Sequence, residues 1–248
     1  MKKILAISKS FGQDSHRYLY NVCRSAGEAV KVVTLYIGGC SLQRHHRNMN
    51  SEARAYALEI NGHQTGFFVS LKEALLADEW DIVTLQQVST LSGDYETYEP
   101  FLSELSAYVK KLAPKAKQYI HAIWAWGDSK IAASTTIKYK SSAEMYAADH
   151  AAYKKAAAAI DADGYIPCTA AMEKLYAKIG DSAYRDGYHA SLGVGRYMLS
   201  LVWHMNIFGK DNIDGVSFSD FDIPVTDEEK KIAEACAIAA TVENTYGK

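Results

Sequence analysis

The sequence predicts one α/β domain whose sheet is mostly parallel and covered by helices on both faces. Short β-rich runs alternate with longer helical patterns, which is the pattern a covered parallel sheet produces. The chain of 248 residues is 48% hydrophobic, enough to fill a substantial core. It has only four prolines, and no internal repeat, low-complexity tract or Pro/Gly/Ser-rich linker divides it, so a single domain over residues 1–248 is expected.

The β-rich runs are Lys3 to Ile7, Val30 to Tyr36, Asp81 to Leu85, Gln118 to Trp124 and a weaker one at Gly164 to Cys168. Amphipathic stretches at Tyr98 to Leu112 and Ala143 to Ile160 are long enough to be the crossover helices that parallel pairing requires. A further helix is expected over Leu192 to Phe208. The stretch Asp227 to Val242 reads as a closing helix with Thr226 as its N-cap.

Composition narrows the function classes. The chain has 27 basic and 29 acidic side chains, a formal charge of -2. That balance gives no field to gather nucleic acid or anionic lipid, so neither is an expected partner. No apolar run approaches the roughly 20 residues that span a bilayer. The opening M-K-K-I-L-A-I-S is too short in its apolar part for a secretory h-region, so a cytoplasmic protein is expected. Cys23, Cys40, Cys168 and Cys236 form no C-x-x-C pair, and read as free buried thiols rather than zinc ligands or a redox dithiol.

In folds of this class the ligand crevice lies beyond the carboxyl ends of the strands. After the first run, S-K-S-F-G-Q-D places Ser10 on a turn leading into a helix expected to start near Gln13 or Asp14. After the second comes I-G-G-C-S-L, where Gly38 and Gly39 let the backbone approach a ligand and aim an amide at a developing oxyanion; a plain tight turn is the competing reading. After the third, L-Q-Q-V-S sets Gln86 and Gln87 at the same rim. Alternation allows only one of these two to face a pocket, and Gln87 is the choice. The loop D-G-Y-H carries Asp186 and His189 three apart, a spacing that lets a carboxylate hold Nδ1–H while the ring serves as base for the first-strand serine. Each residue alone has an ordinary reading: Ser10 as a helix cap, Asp186 as a turn former, His189 as a hydrogen-bonded loop side chain.

Together these segments resemble the sequence blocks of the SGNH, or GDSL-like, hydrolase superfamily. More narrowly, the chain resembles a bacterial branch with I-L-A-I-G-N-S-F-S, G-G-C-S-L, T-L-Q-Q and D-G-Y-H-L-S blocks, and the similarity spans nearly the whole length. The resemblance implies a flavodoxin-like three-layer α/β/α sandwich with a parallel sheet of about five strands. It implies a serine esterase without cofactor, in which Ser10 attacks a small acyl ester and His189, oriented by Asp186, acts as base. It also implies an oxyanion hole from the amides of Ser10 and Gly39 with Gln87 as third donor. An O-acetyl group on a carbohydrate is a substrate the resemblance suggests. Where the branch has G-N before the serine, this chain has Ser8 and Lys9. A side chain at position 8 would tighten the turn, and Lys9 brings a charge close to the nucleophile.

Trp124 and Trp126, at the end of the fourth run, are candidates to stack on a sugar, with core packing as the competing reading. Tyr95 and Tyr98 are similar candidates. The G-D-S at Gly127 to Ser129 follows the fourth run rather than the first and reads as loop. His45 and His46 are adjacent on a helix and cannot easily chelate one metal, so no metal site is expected. Gly193 to Tyr197 lacks the strand and third glycine of a dinucleotide fingerprint. Two other classes stay open: a catalytically silent carbohydrate-binding or scaffold protein on the same fold, and a flavodoxin-like binding module.

Overall fold

The computed structural model describes residues 1–244 and 246. Five parallel strands form the centre of the sheet: β1 (Lys2–Ser8), β2 (Val30–Tyr36), β5 (Ile82–Leu85), β6 (Lys117–His121) and β7 (Gly164–Ile166). Two more, β3 (Tyr56–Ile60) and β4 (His63–Val69), add an antiparallel hairpin beyond β2, giving the order β4-β3-β2-β1-β5-β6-β7. In β1, Ile4, Leu5, Ala6 and Ile7 are all fully buried rather than alternating. That is the pattern of a strand covered on both faces.

One face is covered by α1 (Ser10–His16), α2 (Leu19–Ser25), α8 (Cys168–Ile179), α9 (Val194–Phe208) and α10 (Asp227–Val242). The other carries α3 (Leu42–Ser51), α4 (Leu71–Leu76), α5 (Phe101–Leu112) and α7 (Ser142–Ala159). A short helix, α6 (Asp128–Ala132), lies between β6 and α7. The α/β/α sandwich is the expected one. Thr226 caps α10 with a reciprocal capping box to Glu229, and α9 is buried nearly throughout.

The sequence reading differs from the structure in four places. The hairpin β3–β4 was not expected. Its turn is Asn61-Gly62, with φ of 53° and 81°, the left-handed pair of a type I′ turn. β6 stops at His121, so Trp124 lies past the strand, and α5 starts at Phe101, preceded by a 3₁₀ turn over Tyr95–Thr97. α1 begins at Ser10 itself rather than near Gln13, because the Gln13 amide already bonds the Lys9 carbonyl at 3.1 Å. The nucleophile candidate therefore sits on the first residue of a helix, at the carboxyl end of the central strand.

Candidate active site

The turn that presents Ser10 is built without a glycine. Ser8 ends β1, and its hydroxyl accepts from Gln86 Nε2 at 2.6 Å and donates to the Lys9 carbonyl at 3.2 Å. The room for that side chain lies across the turn at Gly12, where an added Cβ would stand 1.8 Å from Ser8 Oγ. Ser8 is thus accommodated by Gly12 rather than tightening the turn. Lys9 is only 1% exposed, and its ammonium nitrogen lies 3.5 Å from the Phe11 ring centroid with no hydrogen-bond partner among the described residues. Burial pushes its amine well below the usual lysine range, against the pull of Asp14 and Asp149.

Ser10, His189 and Asp186 come together. Ser10 Oγ is 2.8 Å from His189 Nε2, and His189 Nδ1 is 2.7 Å from Asp186 Oδ2. A carboxylate only accepts, so the ring proton belongs on Nδ1 and Nε2 is free to accept from the serine. The other Asp186 oxygen takes the backbone amides of His189 (2.9 Å) and Tyr188 (3.3 Å). Partial burial pushes the Asp186 carboxyl up, but the side-chain and backbone hydrogen bonds from His189 outweigh it and hold it below the usual carboxylate range. Gly187, at φ 86°, makes the tight turn between them.

This loop is pinned to α1 by groups that sequence reasoning missed. Asp14, one turn beyond Ser10 in α1, is fully buried and receives Arg185 Nη1 on both oxygens (2.8 and 2.9 Å) and Arg196 Nε at 2.9 Å. The same Arg185 nitrogen donates to the Ala190 carbonyl at 2.7 Å, spanning the D-G-Y-H turn. Trp124 completes the support and is not a ligand platform: it is fully buried, stacks on Phe11 at 4.3 Å and donates its indole N–H to the Tyr188 carbonyl at 2.8 Å. A buried aspartate four residues after the serine, with arginine directly before Asp186, was the available signal.

The opposite wall is assembled differently. Gly38 and Gly39 line the same cavity as Ser10 and His189, and Gly39 adopts φ 58°. Among the described residues neither the Ser10 nor the Gly39 amide finds a hydrogen-bond acceptor. Gln87 does not join them. Its Oε1 accepts from the amides of Leu42 (3.0 Å) and Val88 (2.9 Å), while its Nε2 donates to the Thr97 carbonyl and hydroxyl, both at 3.2 Å. Gln86 lies beneath the turn that carries Ser10, bonded to Ser8. The polar side chains this segment offers the cavity are Ser89 and Thr90; Ser89 is 6% exposed and its hydroxyl has no partner among the described residues. Residues 87 and 89 share a face in an extended chain, so alternation alone allowed either.

The cavity measures about 480 Å³ and is walled on the His189 side by Trp126, Tyr188 and Lys130. Trp126 packs on Tyr188 at 4.7 Å between centroids and lines the cavity. Tyr95 does not reach it: it stacks on Tyr98 at 5.5 Å, with Lys155 over its ring, in the turn before α5. Ser129, in the G-D-S segment, donates to Asp181 at 2.9 Å and makes no hydrogen bond to His189 among the described residues. His45 is buried against Tyr56, whereas His46 bonds Glu104, so the two point apart. No group of three or more His, Cys, Asp or Glu side chains converges as metal ligands among the described residues. The four cysteines are free and buried; burial pushes the Cys40 thiol up to about 12.

A search of curated proteins found no match. Among solved structures, a DUF4886 family protein from Bacteroides uniformis superposes with a TM-score of 0.88 at 29% identity, over 98% of this chain and 95% of that one. A candidate SGNH hydrolase from Slackia heliotrinireducens gives 0.57 at 24% identity, covering 83% of this chain and 98% of that one. A lipase/acylhydrolase from Enterococcus faecalis gives 0.54 at 16%, covering 84% and 96%. The last two likenesses establish the fold as that of SGNH hydrolases. Residues 3–240 match the family described as a domain of unknown function, DUF4886, and the chain belongs to that family.

Proposed function

We propose that the protein is a serine esterase that cleaves a small acyl ester through an acyl-enzyme intermediate. The observation that carries this reading is the continuous line from Ser10 Oγ through His189 to Asp186, at 2.8 and 2.7 Å. In the first step His189 Nε2 takes the Ser10 proton as Oγ attacks the ester carbonyl. Charge develops on the carbonyl oxygen, and the free amides of Ser10 and Gly39 together with the Ser89 hydroxyl are the donors available to it. The tetrahedral adduct collapses when His189 returns the proton to the leaving alcohol. Water, activated by the same nitrogen, then releases the acid and restores Ser10.

No step draws on a metal or a redox cofactor. A cavity of about 480 Å³ suits a short acyl group, and the Trp126–Tyr188 wall offers an apolar face to an alcohol portion such as a carbohydrate. An O-acetyl sugar fits that description.

The test is hydrolysis of p-nitrophenyl acetate and of acetylated sugars by the protein and its variants. Ser10→Ala and His189→Ala should each lower kcat by about 10⁴-fold or more, and the double variant should be little worse, because the pair acts as a unit. Losses that add independently would contradict the shared mechanism. A folded protein that binds acetylated sugars but never turns them over would favour a silent binding role instead.

A further inference from the structure

The charges around this cavity are one-sided. None of the residues lining it is Asp or Glu, and two of them, Lys9 and Lys130, are cationic types. Lys9 is buried with its nitrogen on the Phe11 ring, so the charge a ligand meets at the mouth is that of Lys130.

Lys130 is held in place. Its stem packs on the α-carbon of Gly187, where an added Cβ would stand 2.7 Å from Lys130 Cβ and 3.2 Å from its Cγ. The Gly127 amide, at the start of the same helix, bonds the Gly187 carbonyl at 2.8 Å. From there the ammonium lies 5.3 Å from the centroid of the Tyr188 ring, beside the residue next to His189. It has no ion-pair partner among the described residues. None of the nearby acids pairs with it: Asp128 bonds the Ser142 amide and Tyr176, Asp181 bonds Ser129, and Asp186 bonds His189. A fixed, unpaired cation at the mouth of an acid-free cavity attracts an anion.

The side matters. In the mechanism proposed above, His189 hands its proton to the leaving alcohol, so the alcohol portion departs along the His189 wall, where Lys130 stands. The carbonyl oxygen faces the donors of the opposite, Gly39 and Ser89 side. We propose that the esters this cavity takes carry an anionic group on the alcohol portion, received by the Lys130 ammonium beside Tyr188. The inference rests on the serine-esterase reading and names its substrate class: acylated acidic alcohols, such as acidic sugars, ahead of neutral ones.

The experiment measures how fast Ser10 is phosphonylated by two matched aryl ethyl methylphosphonates, with 3-carboxyphenol or 3-carbamoylphenol as leaving group, and locates the adduct by mass spectrometry. In the native protein the carboxylate probe should react about tenfold faster than the amide probe, and the advantage should shrink as salt is raised. Lys130→Met should bring the ratio close to the intrinsic ratio of the two probes with hydroxide, and Lys130→Glu should push it below that. Lys111→Met, on the exposed far side of α5, should leave it as in the native protein. Adduct at Ser10 with no excess preference, or a preference that survives Lys130→Met, overturns the inference and leaves the esterase reading standing. No Ser10 adduct with either probe removes the esterase reading, and the inference with it.

Discussion

The two walls of the cavity are held by different means. On the His189 wall, the catalytic candidates are fixed mainly by one another and by one buried carboxylate. Asp186 accepts three groups from its own loop, and Asp14 draws Arg185 and Arg196 onto α1. On the opposite wall, the strand end after β5 uses its amides to build the protein: Gln87 fastens α3 and the loop before α5, and Gln86 braces Ser8. What this wall leaves for a ligand is a backbone amide at Gly39 and the hydroxyls of Ser89 and Thr90. One wall places its chemistry in side chains braced by one another and by a buried ion-pair cluster, the other in a backbone amide and hydroxyls beside amide side chains that are spent on structure.

The comparison breaks first at Asp14. If its carboxylate holds the His189 loop in register, Asp14→Asn should cost about 100-fold in kcat with little change in KM, together with about 3 kcal/mol of stability, since two arginines lose a buried counter-charge. A stability loss with kcat intact would reduce the clamp to a packing feature. The opposite wall predicts a smaller effect. Ser89→Ala should lower kcat by roughly tenfold to 100-fold through loss of one oxyanion donor, with KM nearly constant. Gln87→Ala should act mainly on the denaturation midpoint. A kcat defect from Gln87 in well-folded protein, with Ser89 silent, would reverse that assignment.

Both walls also rest on neutral histidines, and pH sharpens the comparison least. His16, in α1, and His45, in α3, are fully buried, and burial pushes each down to about 3. An imidazole with a depressed folded-state value takes up its proton more readily when unfolded. The stability it contributes is present above about pH 6.5 and is lost as pH falls toward 3. Each should remove about 1 kcal/mol between pH 6.5 and 5.5, seen as a falling denaturation midpoint. His16→Gln should flatten that slope; an unchanged slope would mean that other groups carry it.

The parts of the molecule legible in the sequence are those encoded by short spacings or by sustained pattern. The five parallel strands announced themselves as apolar runs, and Asp186 and His189 are spaced so that the loop supplies its own hydrogen bonds. The hairpin β3–β4 was harder to see although Asn61-Gly62 is a strong turn signal. β4 is an edge strand exposed on both sides, so its residues do not alternate in polarity, and Gly66 at φ 79° interrupts it. Trp124 and Gln87 failed for a common reason. Each is a polar-tipped residue near a strand end, and whether the tip meets a ligand or a carbonyl depends on neighbours far away in sequence, Tyr188 and Thr97. Ser8 was misjudged because the space it needs is provided at Gly12.

The central claim is that Ser10 is a nucleophile activated by His189. Labelling the folded protein with a fluorophosphonate and mapping the adduct tests it most directly, because a serine without a general base reacts slowly. The account predicts a single rapid adduct on Ser10, lost in His189→Ala, with Ser129 unmodified. An adduct on Ser129, or none on folded protein, would contradict it.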